Sequence, residues 1–266
     1  MRKNTTANTT LAASTANTTP AASTPEATTS AASTPEATDK NTTKNLTEVV
    51  FILDRSGSMG GLETDTIGGY NSMLAKQQEE EGDVVISTVL FDDQTEVIHD
   101  RRPLKDVKPI TSNEYYVRGC TALLDAVGGA IHHIGHVQKA VPEEQRPDKT
   151  IFIITTDGME NSSSHYTYDK VKKMVEKKKE KKGWEFIFLG ANIDAIAVAD
   201  RFGVAANRAV RYECDGVGTA LNFSAMSNMI SRSRKAASCA DMSMVLDDGE
   251  DEIFEDIRAH YEKSNS

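Results

Sequence analysis

The stretch Val49-Val50-Phe51-Ile52-Leu53-Asp54-Arg55-Ser56-Gly57-Ser58-Met59-Gly60-Gly61 constrains this chain most. Five consecutive apolar residues without polar alternation predict a strand buried on both faces. Strands of that kind belong to parallel sheets covered by helices, whose ligands sit beyond the strands' carboxyl ends. The apolar run stops at Asp54, and Ser56 and Ser58 follow at alternate positions before two glycines. One carboxylate and two hydroxyls so close together form a hard-oxygen set, suited to Mg2+, Ca2+ or Mn2+ rather than to zinc or copper. A strand followed by a plain Ser/Gly turn explains the same residues, so the stretch by itself leaves both readings open.

The remainder of residues 46–236 alternates strand and helix patterns. Strands are predicted at Thr47 to Asp54, Val84 to Phe91, Thr95 to His99, Thr150 to Thr156, Trp184 to Leu189 and Arg208 to Tyr212. Helices are predicted over Thr64 to Glu80, Thr121 to Lys139, Thr167 to Lys182, Asp194 to Phe202 and Gly216 to Arg234. Gly68-Gly69 interrupts the first helix at a cost, which a close helix-to-sheet approach would offset. The Asp92-Asp93-Gln94 connection is too short for a crossover, so the third strand should pair antiparallel with the second. Between residues 101 and 120 an irregular connection is expected, with a short helix at Asn113 to Val117. The fold class is therefore α/β: a mainly parallel six-stranded sheet with one antiparallel edge strand and helices on both faces. Right-handed crossovers bring the loops after the first, second, fourth and fifth strands to one rim.

The flanks differ from this pattern. Residues 1–45 are mostly Thr, Ala, Ser, Asn and Pro, and Ala21 to Thr28 recurs as Ala31 to Thr38. Such a segment buries too little apolar surface to offset its ordering entropy and is expected to be a disordered tether. Its Asn-x-Thr sequons at Asn4, Asn8, Asn17, Asn41 and Asn45 are read as inert, because no apolar signal segment follows Met1-Arg2-Lys3. Residues 237–266 are expected to be an acidic extension: a mobile linker around Asp247-Asp248-Gly249-Glu250-Asp251-Glu252, then one short amphipathic helix. The net charge of −10 disfavours nucleic acid as a partner. No apolar run is long enough for a membrane span. Three cysteines without a metal-type pair fit a reducing compartment, so a cytoplasmic location is expected.

Which residues reach the rim decides between the two opening readings. Asp157 ends the apolar strand Ile153-Ile154-Thr155-Thr156, and Thr121 opens the helix that leads into that strand. Two carboxylates and three hydroxyls thus arrive from three loops. Asp54-x-Ser56-x-Ser58, Thr121 and Asp157-Gly158 together resemble the metal-ion-dependent adhesion site of von Willebrand factor A domains. The order of elements over residues 46 to about 236 is similar too, and the chain looks most like the compact stand-alone bacterial members. The resemblance implies that Ser56, Ser58 and Thr121 hold Mg2+ directly, with Mn2+ or Ca2+ as substitutes. Asp54 and Asp157 would act largely through bound waters, and an Asp or Glu of a protein partner would complete the shell. Neutral ligands leave the cation much of its field, so an open position favours an anionic oxygen. The acidic tail is a second candidate occupant.

Other signals carry blander readings. Asp92 and Asp93 are read as a turn, Glu160, Asn161 and Asn192 as rim residues that could touch a partner. His132 and His136 stand at i, i+4, but no HExxH glutamate accompanies them, so they are read as a solvated face. The lysines of Lys170 to Lys182 are read the same way, with docking of an acidic partner or of the tail as the sharper alternative. Cys120 is read as a packed structural thiol. No P-loop lysine, GxGxxG spacing or GxSxG elbow is present. A binding module rather than an enzyme is expected, and a metal-dependent phosphate-handling hydrolase is the alternative.

Overall fold

Strand β1 (Thr47–Asp54) lies at the centre of a six-stranded sheet because both of its faces are apolar and every residue is buried. Val49, Phe51 and Leu53 enter one core, and Val50 and Ile52 enter the other. Strands β2 (Val84–Phe91), β4 (Lys149–Thr156), β5 (Glu185–Ala191) and β6 (Ala209–Tyr212) run parallel to it, in the order β3-β2-β1-β4-β5-β6. Strand β3 (Thr95–Pro103) pairs antiparallel with β2 at the edge. This is the predicted sheet, and the structure, a computed structural model, describes residues 45–266 of the chain. The repeats and the sequons from Asn4 to Asn41 lie outside the described residues. Asn45 lies within them and is part of the fold: its side chain accepts from the Lys149 ammonium and donates to the Arg234 carbonyl at 3.1 Å.

Helices α1 (Glu63–Glu79) and α5 (Gly216–Lys235) cover one face; α2 (Leu123–Ala140), α3 (Tyr168–Lys182) and α4 (Ala195–Phe202) cover the other. Their ends carry the expected capping chemistry. Thr167, Asp194 and Asp215 accept N-terminal amides, and Gly183 and Gly203 close α3 and α4 in the left-handed conformation.

Four expectations change. The β3 strand extends four residues past His99, because irregular pairing with β2 absorbs the sequence that broke the pattern; Arg101 takes a positive φ of 46° there and donates its amide to Ser87. Residues 113–117 form no helix, and the connection has a single 3-10 turn at Leu104–Asp106. The glycine approach in α1 is helix to helix. A Cβ on Gly69 would overlap the Phe223 ring of α5, while Gly68 faces open space.

The acidic tail differs most. It forms two consecutive helices, α6 (Cys239–Asp248) and α7 (Glu250–Ser264), separated by Gly249. Met242, Leu246, Ile253, Phe254 and Ile257 are buried in the same core as α1 and α5. Four of the five acids that suggested a mobile linker are instead held by arginines: Arg208 pairs with Asp247 at 2.7 Å, Arg258 with Glu250 and Asp251, and Arg232 with Glu252.

Candidate metal centre

Strand ends bring the cluster together. Asp54 is the last residue of β1, and Asp157 directly follows β4, its neighbour in the sheet. The residue after Asp54 matters as much as the aspartate. Arg55 is fully buried; its Nε bonds Asp92 at 2.9 Å and its Nη1 bonds Glu96 at 2.8 Å. Arg118 adds a second guanidinium to Asp92 at 2.7 Å. The backbone then closes around the turn: Arg118 donates to the Arg55 carbonyl at 3.0 Å and Gly57 to the Gly119 carbonyl at 3.1 Å. These bonds carry the Gly119-Cys120-Thr121 segment to the serines. Asp92 does form a turn, accepting the Gln94 amide at 2.7 Å, but it also anchors the arginine pair.

The five side chains singled out in the sequence are brought to one place. Asp54 accepts the Ser56 amide at 2.7 Å and the Thr156 hydroxyl at 2.6 Å. Ser56 Oγ lies 3.1 Å from both Ser58 Oγ and Thr121 Oγ1. Ser58 Oγ donates to Asp157 Oδ1 at 2.6 Å. A Cβ on Gly158 would sit 3.2 Å from Ser58 Oγ and 3.3 Å from Thr121 Oγ1, so the glycine keeps this space clear. Asp54, Ser56, Thr121 and Asp157 are buried, and exposed Ser58 marks the opening.

The donor set fits a hard divalent cation. Cis oxygens of an octahedral ion with ~2.1 Å bonds are about 3 Å apart, and the hydroxyl pairs are spaced at 3.1 Å. Among the described residues, neither Asp54 nor Asp157 is ion-paired. Burial pushes the Asp54 carboxyl up to about 6, against hydrogen bonds from Thr156 and Ser56 that lower it. Burial likewise raises Asp157, opposed by Ser58. Two buried carboxylates with no cationic side chain beside them are the arrangement that a bound cation would relieve.

Several contributors were not anticipated in the sequence. Tyr115 donates to the Asp54 carbonyl at 2.6 Å, and Thr156 grips the Asp54 carboxylate. Glu160 and Asn161, read as possible partner contacts, are engaged internally. Asn161 accepts the Thr121 amide at 2.9 Å, and Glu160 accepts amides of Leu124, Ser162 and Ser163. Asp125 reciprocates from α2, accepting amides of Ser164, His165 and Tyr166. The loop after β4 and the start of α2 thereby cap each other, which fixes Thr121 relative to Asp157. The signal for this was the density of Asp, Asn, Glu and Ser beside both elements.

Cys214 is a further member. Its Sγ lies 3.8 Å from Asp157 Oδ2. Burial, then the Asp157 charge, pushes the thiol up to about 11, so it is a neutral donor to the carboxylate rather than a thiolate ligand. Cys120, expected to be packed, is exposed. The Asp247–Glu252 run does not reach the cluster. Asp247 is tied to Arg208, which precedes β6 and pairs with Glu185 at the start of β5, at the end of the sheet opposite Asp54 and Asp157. Within this chain the Asp247–Glu252 run therefore does not occupy the cluster.

No protein-family model and no curated protein matches the chain. Solved structures do. The vWF domain of the type V pili tip protein Mfa5 from Porphyromonas gingivalis superposes with a TM-score of 0.50 over 70% of this chain and 95% of that one, at 12% identity. This chain has the von Willebrand factor A fold. A D319A mutant of the PilB minor pilin from Streptococcus sanguinis is similar over 73% of this chain, with a TM-score of 0.50 and 14% identity. The von Willebrand factor type A structure from Catenulispora acidiphila aligns over 72% of this chain, with a TM-score of 0.47 and 15% identity. This chain spans 64% of the pilin chain and 43% of the Catenulispora chain.

Proposed function

We propose that this von Willebrand factor A domain binds a divalent cation, Mg2+ foremost, at Asp54, Ser56, Ser58, Thr121 and Asp157, and uses it to capture an acidic side chain of a protein partner. The observation that carries the reading is the convergence of three hydroxyls, 3.1 Å apart across two pairs, with two buried carboxylates that have no cationic partner among the described residues. The cation supplies a positive field with an open position for an anionic oxygen. The chain's own residues supply the rest. Thr156 and the Ser56 amide orient Asp54, Asn161 orients Thr121, and the Cys214 thiol faces Asp157.

The surface around the cluster supports protein capture. Tyr116, Met159, Ile196 and Val217 are large apolar side chains exposed on loops or helix starts at this rim, Met159 at 70% beside Asp157-Gly158. Three free cysteines suit the proposed cytoplasmic setting. The test is retention of the chain on beads bearing a glutamate-rich peptide. Retention should require Mg2+ and vanish in chelator or in Asp54→Ala, with the melting transition of that variant intact. Retention that persists after chelation would sink the metal-dependent reading.

A further inference from the structure

A second site lies away from the metal cluster, between the C-terminal halves of α2 and α3. A cavity of about 380 Å3 opens there. Its walls carry Lys139 from α2 and Lys177, Lys178, Lys181 and Lys182 from α3, with the imidazoles of His132 and His136 completing them. Its floor is Ile131, Gly135 and Met174. Among the described residues, none of these five lysines is ion-paired, and the α3 acids Glu176 and Glu180 do not line the cavity. The chain as a whole carries −10, so five uncompensated ammonium groups around one cavity are a local feature rather than general basicity.

Helix polarity accounts for part of the cluster. Cations complement the carbonyl end of a helix, and Lys139, Lys181 and Lys182 stand in the last turns of α2 and α3. Lys177 and Lys178 stand a turn earlier and line the same cavity. Lys178 is half-buried, with its ammonium 3.9 Å from the centroid of the buried Trp184 ring. Gly135 makes this possible, because a Cβ there would collide with the Lys178 ammonium. Burial, then the charges of Lys139, Lys182 and Lys177, pushes Lys178 down to about 8. An anion is what this arrangement lacks.

We infer that this cavity binds a small, multiply phosphorylated anion. Its volume is that of a small-molecule pocket, and clustered phosphates concentrate charge over a few ångströms, as the ammonium groups do. Ammonium donors on flexible stems suit phosphate oxygens. A single-stranded nucleic acid needs exposed rings for stacking, and the ring here lies beneath Lys178. An acidic peptide spreads single charges along a line rather than into a cavity.

The experiment is calorimetric titration of the full chain, stripped of metal by dialysis, with sodium tripolyphosphate in chloride buffer. Saturable one-to-one binding is expected. The double variant Lys177→Ala/Lys181→Ala alters only exposed side chains and should weaken it by about tenfold or more. Asp54→Ala should bind as the parent does, which separates this site from the metal cluster. Unaltered melting curves establish that the variants fold. The inference is overturned by an absence of saturable binding, by equal affinity in the lysine variant, or by equal binding of sulfate at matched ionic strength. Tighter binding of a polyglutamate peptide or a single-stranded oligonucleotide would also overturn it and reassign the cavity.

Discussion

At the scale of single residues, the cluster is built by hydrogen bonds to carboxylates that are otherwise uncompensated. Asp54→Asn removes one of two buried, converging charges while keeping an acceptor for the Ser56 amide. In chelator its melting temperature should equal or exceed that of the parent, and the upward shift that Mg2+ gives the parent should be absent; a retained shift would count against Asp54 as a metal residue. Asn161→Ala leaves every ligand in place but strips the acceptor from the Thr121 amide. Loss of such a support typically costs 10–100-fold in metal affinity, and a metal titration followed by calorimetry measures it. Asp125 bears on pH. Burial pushes its carboxyl up, but the amides of Ser164, His165 and Tyr166 and the His165 ring outweigh this and hold it below its ordinary value. The stabilisation is therefore fully present above the unfolded value of about 3.9 and is lost as pH falls through the depressed folded value. Asp125→Asn should be destabilised at pH 7 by roughly 1–2 kcal/mol and converge with the parent under strongly acidic conditions, as read by urea unfolding across pH. Asp54, Ser56, Ser58, Thr121 and Asp157 were all legible as ligand types. Their supports Thr156, Asn161 and Tyr115 were not, because a hydrogen bond between residues far apart in the chain leaves no periodicity to read.

At the scale of elements, the contact between α1 and α5 decides how closely the helices of one face approach. Gly69 lies against Phe223, and Arg234 at the end of α5 donates to the carbonyls of Gln77, Glu80, Glu81 and Gly82. One guanidinium thus ties the last turn of α1 to the turn that follows it. Gly69→Ala should destabilise the domain by about 1–3 kcal/mol, although alanine favours a helix. Gly68→Ala, with nothing within 4 Å, should be neutral or stabilising. Equal melting temperatures for the two variants would refute the close-contact account. The glycine pair was visible as an anomaly in a helical pattern. Which neighbour it accommodates was not, since a glycine records only that a side chain is unwelcome.

At the scale of the whole molecule, the tail shows how charge misleads when pairing is invisible. Residues 240–266 carry nine acids against one arginine and one lysine, which reads as a solvated extension. Yet five apolar side chains of α6 and α7 enter the core, and burial of each contributes roughly 1.5–3 kcal/mol. Their sum is comparable with the net stability of a domain. Ending the chain at residue 236 should therefore yield an insoluble or dye-binding protein, and a truncated chain that melts like the parent would refute the docked-tail account. Sequence by itself determined the doubly covered parallel sheet, its antiparallel edge and the identity of five oxygen-bearing residues at one rim. Those features follow from hydrophobic periodicity and crossover handedness, which act locally and leave a repeating mark. Only the tertiary structure decided that Arg55 and Asp92 hold the turn, that Glu160 and Asn161 are engaged inward, and that the acidic run is neutralised at the far end of the sheet. Each of those depends on which charge meets which across long stretches of chain, and a charged residue reads the same whether its partner is water or a buried guanidinium.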